Sequence, residues 1–349
     1  MNLYYSFIVM NYNKIKRILF NIIIGTVLCN CCIYAQDCDT GYTYFDELPG
    51  NVTNINNDSS CFFDDDIAVL NDLISLNNLN NYSSHFELGI QTWVTSRLVS
   101  WVATYVPSGT NGLTQKVSQL PDIIGQLSEL ENLYIEKHDL TELPDNFTQL
   151  SNLITLGISN NYLTSLPEEF GNLLNLETLD LGYNQLESIP GSIGNLGNIV
   201  YLFLFNNQLS SVPETICDLD LDWDGISAEN YPYFAIGGNQ LCECCPADGF
   251  IPECVENSAN FNISMEQNYY SFLIDAPQDC SGLTCDIGDI NDDETWNVLD
   301  IVNLANCVLA QNCPDIAYGC SGDLNGDSAY NVLDIVILAN CVLAQNCGG

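Results

Sequence analysis

Basic side chains are nearly missing from this chain. Six lysines and arginines face forty-five aspartates and glutamates, giving a formal net charge of −39 at pH 7. Beyond residue 35 only Arg97, Lys116 and Lys137 remain, and nothing after Lys137 is basic. A surface of that sign repels phosphate backbones and anionic headgroups, which excludes nucleic acid and charged lipid as partners. Histidine is as scarce: of the two, His85 has no serine or cysteine constellation to recruit it. Long apolar runs are missing too, and no segment after the N-terminus approaches the roughly eighteen uninterrupted apolar residues that a membrane span needs. The apolar fraction is nonetheless 47% and is arranged periodically, which separates the chain from disordered acidic sequences.

Residues 1–35 carry Lys14, Lys16 and Arg17, then the apolar stretch Ile18 to Leu28, then Ala35 before Gln36. A basic start, a short apolar middle and a small residue at the end predict a secretory signal peptide, hence a secreted or cell-surface protein. Fourteen cysteines follow it, at 38, 61, 217, 242, 244, 245, 254, 280, 285, 307, 313, 320, 341 and 347. An even number in an exported chain favours disulfides. The Cys242-Glu-Cys244-Cys245 cluster suggests zinc by composition, but no histidine lies near it.

Leucines 127, 150, 173, 196 and 219 are spaced by twenty-three residues without a slip. Each period repeats one pattern, as in Leu153-x-x-Leu156-x-Ile158-x-x-Asn161-x-Leu163-x-x-Leu166-Pro-x-x-Phe170-x-x-Leu173. This resembles the leucine-rich repeat of the bacterial and plant-like class, over about residues 120–245. The resemblance implies an α/β solenoid whose strands point Leu156 and Ile158 inward, with an asparagine ladder bonding backbone groups left open by the turns. Prolines 144, 167, 190 and 213 fall where a convex helical turn begins and no backbone donor is required. His138 stands at the asparagine position of the first repeat and reads as a substitute hydrogen-bonding group.

By strand alternation the concave face carries Tyr134 and Glu136, Asp180, then Tyr201, Phe203 and Phe205, then Tyr233. These seven are the candidate ligand-binding residues, for a protein or glycan ligand. Three exposed aromatics on one strand of an acidic protein mark an interaction surface. The alternative is that the insertion 220–230 folds over them. Residues 36–119 read as an N-terminal cap, with Cys38 and Cys61 able to pair, a helix over 67–76, and strand or irregular repeat around Trp93 and Trp101. Residues 120–254 then form the solenoid with a disulfide-bearing C-terminal cap that could include Cys217. Residues 255–284 have little periodicity and read as a linker or small hairpin between two modules.

The second module, residues 285–349, contains two copies of one acidic loop, thirty-four residues apart. The first offers Asp289, Asn291, Asp293, Thr295, Asn297 and Asp300; the second offers Asp323, Asn325, Asp327, Ala329, Asn331 and Asp334. Oxygen ligands at positions 1, 3, 5, 9 and 12, with a backbone carbonyl at 7, suit a hard cation, so two calcium ions are the expected cofactors. Each loop runs into an apolar helix, 298–309 and 332–343. This duplicated half-motif resembles the type I dockerin, a small all-α domain that binds calcium and docks onto cohesin modules. It departs at position 6, Glu294 and Ser328, where an EF-hand has glycine. The resemblance implies that loop positions 10 and 11, Val298 and Leu299 with Val332 and Leu333, contact a cohesin-like scaffold protein; the other reading makes them core. The repeated strings Cys307 to Cys313 and Cys341 to Cys347 could each close a disulfide, and Cys285 and Cys320 could tie the starts of the loops.

Together these features predict an exported, non-catalytic binding protein, with a solenoid for the ligand and a calcium-dependent tail for docking. The alternative is a component of a polysaccharide-degrading assembly, or a surface adhesin in which calcium is only structural.

Overall fold

The computed structural model describes residues 38–55, 60–108, 112–227, 231–241, 251–267, 273–279, 288–291, 293, 295–313, 319–322, 324–325 and 329–345. The segment 1–35 expected to be a signal peptide, Cys242 to Cys245, Cys280, Cys285, Cys347, the Cys320 side chain, Asp323 and Asp327 lie outside them.

The first described part holds β1 (Tyr42–Tyr44), β2 (Val52–Ile55), β3 (Cys61–Phe63), helix α1 (Asp64–Leu76), β4 (Ile90–Val94) and β5 (Arg97–Val102). Helix α1 begins with three aspartates, whose charge suits the positive end of the helix dipole. One of them, Asp66, is fully buried and receives Arg97 through two bonds of 2.9 Å, from Nε and from a terminal nitrogen. The Leu98 backbone N–H adds a third at 2.8 Å. This paired and hydrogen-bonded carboxylate fastens α1 to β5. The Cys38–Cys61 disulfide closes the cap's other side.

The repeats follow as β6 (Asn132–Tyr134), β7 (Thr155–Gly157), β8 (Thr178–Asp180), β9 (Tyr201–Phe203) and β10 (Phe234–Ala235). They extend one eight-stranded sheet in the order β10-β9-β8-β7-β6-β5-β4-β2, parallel throughout except for the β4–β5 hairpin. Leu133, Leu156, Leu179, Leu202 and Phe234 stand in register across it, all fully buried. Each full-sized apolar side chain so buried contributes about 1.5–3 kcal/mol, and stacking makes the contribution continuous along the solenoid.

On the convex side the turns are 3-10 helices: Asp122–Gln126, Asp145–Gln149, Gly191–Asn195 and Glu214–Asp218. They start after Pro121, Pro144, Pro190 and Pro213, whose fixed φ near −65° suits the position. The buried asparagines 161, 184, 207 and 239 form the ladder, each donating to carbonyls of its own and the preceding repeat. A second ladder runs down the convex side, where Asn152, Asn175 and Asn198 donate to the carbonyls of Ser128, Ser151 and Leu174 at 2.7–2.8 Å.

Of the two readings of residues 255–284, a linker or a small hairpin, the described residues hold the hairpin. A short helix, α2 (Glu253–Glu256), is tied to the last convex turn by the Cys217–Cys254 disulfide. The antiparallel hairpin β11 (Ile263–Met265) and β12 (Leu273–Asp275) then lies on the concave side of the last repeats. Gly237 N–H donates to the Ile263 carbonyl at 2.9 Å and Gly238 N–H to the Ala276 carbonyl at 2.7 Å. A Cβ on Gly237 would sit 2.6 Å from Asn262 and Ala276 backbone atoms, so the close approach requires glycine there.

The C-terminal region contains two helices, α3 (Val298–Ala310) and α4 (Val332–Ala344), packed around Ile290, Leu304 and Leu338. Both start in a capping box, Asn297 with Asp300 and Asn331 with Asp334, and both stop at a left-handed glutamine, Gln311 and Gln345. Cys307 pairs with Cys313, and Cys341 is also disulfide-bonded. No helix among the described residues is long and apolar enough to cross a membrane. The disulfides indicate an oxidising environment, that of an extracellular or surface protein.

Candidate functional site

The expected aromatic platform is present but covered. Phe203 is 6% exposed and Phe205 fully buried, forming a small core with Ala235 and Met265. The cover is the β11–β12 hairpin, whose Ile263 and Leu273 pack there with Tyr183 and Tyr231. In the described part of the insertion, 220–227, Trp223 packs edge-on against Phe234 at 4.8 Å instead. The physical reason is the apolar cost itself: adjacent phenylalanines on a solvent-facing strand attract whatever apolar segment the chain can return to them. Gly182 makes room for the Phe205 ring, which would lie 2.3 Å from a Cβ there. Tyr201 and Tyr233 stay half-buried, stacked at 5.1 Å.

Glu136 is also buried, at 6% exposure. Thr104 Oγ1 donates to it at 3.1 Å, and burial, with Asp180 nearby, pushes its carboxyl up to about 8. Burial likewise pushes Tyr134 up to about 12. Of the seven concave residues, those left facing solvent in part are Tyr134, Asp180, Tyr201 and Tyr233.

The open cleft lies one step further along the strands, where sequence reasoning placed nothing. Each repeat leaves its strand through a residue in the left-handed region: Lys137 (φ 63°), Asn160 (57°), Tyr183 (54°) and Asn206 (50°). Their N–H groups continue the ladder to the carbonyls of Ser159, Gly182, Phe205 and Gly237 at 2.8–3.1 Å. All four line a cleft of about 520 Å³ together with Tyr105, Lys116, Tyr162, Gln185 and Gln267. Gln267 comes from the end of β11 and bonds Asn160 at 3.1 Å, so the hairpin forms one wall. Tyr183 donates to the Met265 carbonyl at 2.7 Å and holds that wall in place. The available signal was the spacing of Lys116 and Lys137, close to one repeat period, which stacks them on neighbouring turns.

In the C-terminal region the first acidic loop gathers its carboxylates. Asp289, Asp293 and Asp300 bring oxygens within 4.8 Å of one another, a span that a cation with bonds of about 2.3–2.6 Å can bridge. Asn291 Oδ1 is buried without a hydrogen-bond partner and supplies a further unclaimed acceptor. Hydrogen bonds from Thr295 and Asn291 hold Asp293 below the usual carboxylate range. Asn297 and Asn331 also serve as helix caps: their side-chain oxygens accept the N–H of Leu299 and Leu333 at 2.7 and 2.8 Å. Their amide nitrogens donate to the position 7 carbonyls of Thr295 and Ala329. In the second loop Asn325, Ala329, Asn331 and Asp334 are described, and Asp334 repeats the cap of Asp300.

The helix starts are exposed rather than core. Val298 and Leu299 are 66% and 51% exposed, and Val332 and Leu333 are 68% and 52% exposed.

Residues 151–194 match the Leucine Rich repeats family model in two copies. Together with the parallel sheet and the asparagine ladder, that match makes the middle of this chain a leucine-rich-repeat solenoid. Among solved structures it is similar to a leucine-rich-repeat protein of Leptospira interrogans, with 30% identity over 40% of this chain and 39% of that one, TM-score 0.32. It is also similar to the ectodomain of the receptor kinase SOBIR1 from Arabidopsis thaliana, with 21% identity over 54% of this chain and 95% of that one, TM-score 0.38. A plant ice-binding protein gives 19% identity over 51% of this chain and 64% of that one, TM-score 0.40. The chain thus spans about two fifths of the length of the Leptospira protein. No curated protein matches the sequence.

Proposed function

We propose that this chain is an exported, non-catalytic binding protein that presents a leucine-rich-repeat surface and is anchored through its C-terminal module. Leucine-rich repeats commonly mediate protein binding, and the two histidines are engaged structurally, which agrees with a role in recognition. The C-terminal module is read as dockerin-like, holding calcium in the loops of Asp289 and Asp323 and docking onto a cohesin-type scaffold.

The observation that carries the docking reading is the matched exposure of Val298, Leu299, Val332 and Leu333. Apolar side chains more than half exposed, repeated at equivalent places on two capped helices, are costly in water and suit a partner's apolar surface. Calcium is supported by the convergence of Asp289, Asp293 and Asp300 and by the orphaned Asn291 oxygen. The same exposure weighs against the reading in which calcium only rigidifies a terminus, because a purely structural module gains nothing from a bare apolar face.

The test is capture of partners from the source organism's secreted and surface fraction with the full chain as bait, in calcium and in chelator. Calcium-dependent capture of a cohesin-like protein, lost on Leu299→Asp with Leu333→Asp, is the expected result. Calcium binding without capture, unchanged by those substitutions, would leave only the structural reading.

A further inference from the structure

The three cations of the described residues are not equivalent. Arg97 is consumed by Asp66 inside the N-terminal cap. The other two, Lys116 and Lys137, line the same cleft. In a chain of net charge −39 this is the one place among the described residues where two cations share a concave surface. Lys116 already has a carboxylate, Asp139, at 2.6 Å, and its ammonium lies 5.6 Å from the Tyr105 ring centroid. Lys137 has no ion pair among the described residues. Its nearest acidic neighbour in sequence, Glu136, is buried and takes a hydrogen bond from Thr104, and no ion pair joins it to Lys137.

The backbone points the same way. Asparagine tolerates the left-handed conformation that this turn demands, and Asn160 and Asn206 use it, whereas a lysine or tyrosine there costs about 1–2 kcal/mol. Lys137 and Tyr183 are the two exceptions, and both side chains line the cleft. Strain kept at positions that share one cavity is a mark of function, since the unstrained alternative stands in the next repeat.

Among the described residues the lining contains tyrosines, side-chain amides, the two lysines and His138, with no aliphatic side chain. A peptide's side chains would want apolar pockets. A sugar wants the reverse: amides that both donate and accept to its hydroxyls, and aromatic faces for its C–H surface. Tyr162, 45% exposed at the rim, offers such a face. We propose that this cleft binds an acidic oligosaccharide, with a uronate carboxylate on Lys137 and the sugar rings against Tyr162 and Tyr183. This rests on the reading of the solenoid as a binding surface and names its ligand class.

The experiment is calorimetric titration of the full chain with tetramannuronate and with mannotetraose, the same sugar skeleton without carboxylates. Wild type should bind the uronate at least tenfold more tightly than the neutral sugar, and more weakly as salt rises. Lys137→Asn should lose that preference while melting no lower than wild type, because asparagine suits the backbone there. Lys116→Gln should lose less, since Asp139 already screens it. Equal affinity for both sugars, or uronate binding untouched by Lys137→Asn, would overturn the proposal, and so would equally tight binding of hexa-aspartate. Neutral-sugar binding that survives Lys137→Asn would remove this site and leave the solenoid a binding surface; no binding of either sugar, alongside capture of a protein on the concave face, would do the same.

Discussion

His138 does for the first repeat what Asn161 does for the second, with different atoms. Asn161 accepts the Leu140 N–H through Oδ1 at 3.2 Å and donates through Nδ2 to the Ile135 and Ile158 carbonyls at 3.0 Å. His138 accepts the Val117 N–H through Nδ1 at 3.1 Å and donates from Nε2 to the Ala103 carbonyl at 2.6 Å. A carbonyl can only accept, so the proton sits on Nε2 and the ring is neutral. Burial pushes it down to about 4, which keeps that tautomer across the physiological range.

Replacing His138 by alanine should orphan both backbone groups, and each buried unsatisfied group costs about 1–3 kcal/mol. His138→Asn should recover most of that loss by restoring the ladder's own residue. Urea unfolding at pH 7 checks the order. An alanine variant as stable as wild type would remove the ladder role.

Three buried groups contribute to the pH dependence of stability with opposite signs. His138 and His85 both have folded values of about 4, below the ordinary 6.5, so the unfolded state takes up protons first and stability falls as pH drops from 6.5 through 4. Glu136 has a folded value of about 8, above the ordinary 4.5, so its contribution is complete below 4.5 and is lost as pH rises from there through 8. Between 4.5 and 6.5 the two histidines outweigh the one glutamate, and above 6.5 only the glutamate acts, which places their joint maximum near pH 6.5. Glu136→Gln should raise the melting temperature at pH 8.5 by several degrees, about 2–4 °C per kcal/mol in a domain of this size, and flatten the alkaline side. Melting curves in high salt, which screens the general surface repulsion, make the comparison.

Much of this was legible. Leucines at a period of twenty-three residues dictate the stacked strands, because only a solenoid puts Leu133, Leu156, Leu179 and Leu202 in register. The ladder asparagines were legible for the same reason. Asn152, Asn175 and Asn198 share the period but sit among polar convex residues, where periodicity of apolar groups carries no signal. The fate of Phe203 and Phe205 depended on contacts some sixty residues away, from a segment whose β11 reads Ile-Ser-Met and whose partner reads Leu-Ile-Asp. Strands that short declare no face, so the hairpin was visible as an option and its packing was not. The cleft was hidden because left-handed positions are invisible wherever the residue is neither glycine nor asparagine.

The hairpin's hold can be tested where the backbones touch. Gly237→Ala should drive a methyl group into the Asn262 and Ala276 backbone, which has no side chain to swing aside. Overpacking of this kind costs about 1–3 kcal/mol. The expected outcome is a loosened hairpin that uncovers Phe203 and Phe205, read as increased binding of a hydrophobic dye with the main unfolding transition retained. Unchanged dye binding would mean that the hairpin is held by other contacts.

Calcium and helix capping can be separated in the first acidic loop because its carboxylates hold different partners. Asp300 is fully buried, and its oxygens accept the N–H of Ile290 at 3.0 Å and of Asn297 at 2.8 Å. Asp293 is exposed and takes its bonds from side chains and N–H groups within the loop. Removing Asp300 should therefore weaken the C-terminal helices even in chelator, by about 1–3 kcal/mol for each buried N–H left unpaired. Removing Asp293 should leave the chelated protein nearly unchanged and lower calcium affinity at least tenfold, since a hard cation loses a charged ligand. Far-ultraviolet circular dichroism of the full chain during thermal unfolding, with and without calcium, reads both. If Asp293→Ala kept the full calcium-induced stabilisation of the C-terminal transition, the ion would not be held by this loop, and the convergence of the three carboxylates would be a feature of capping alone.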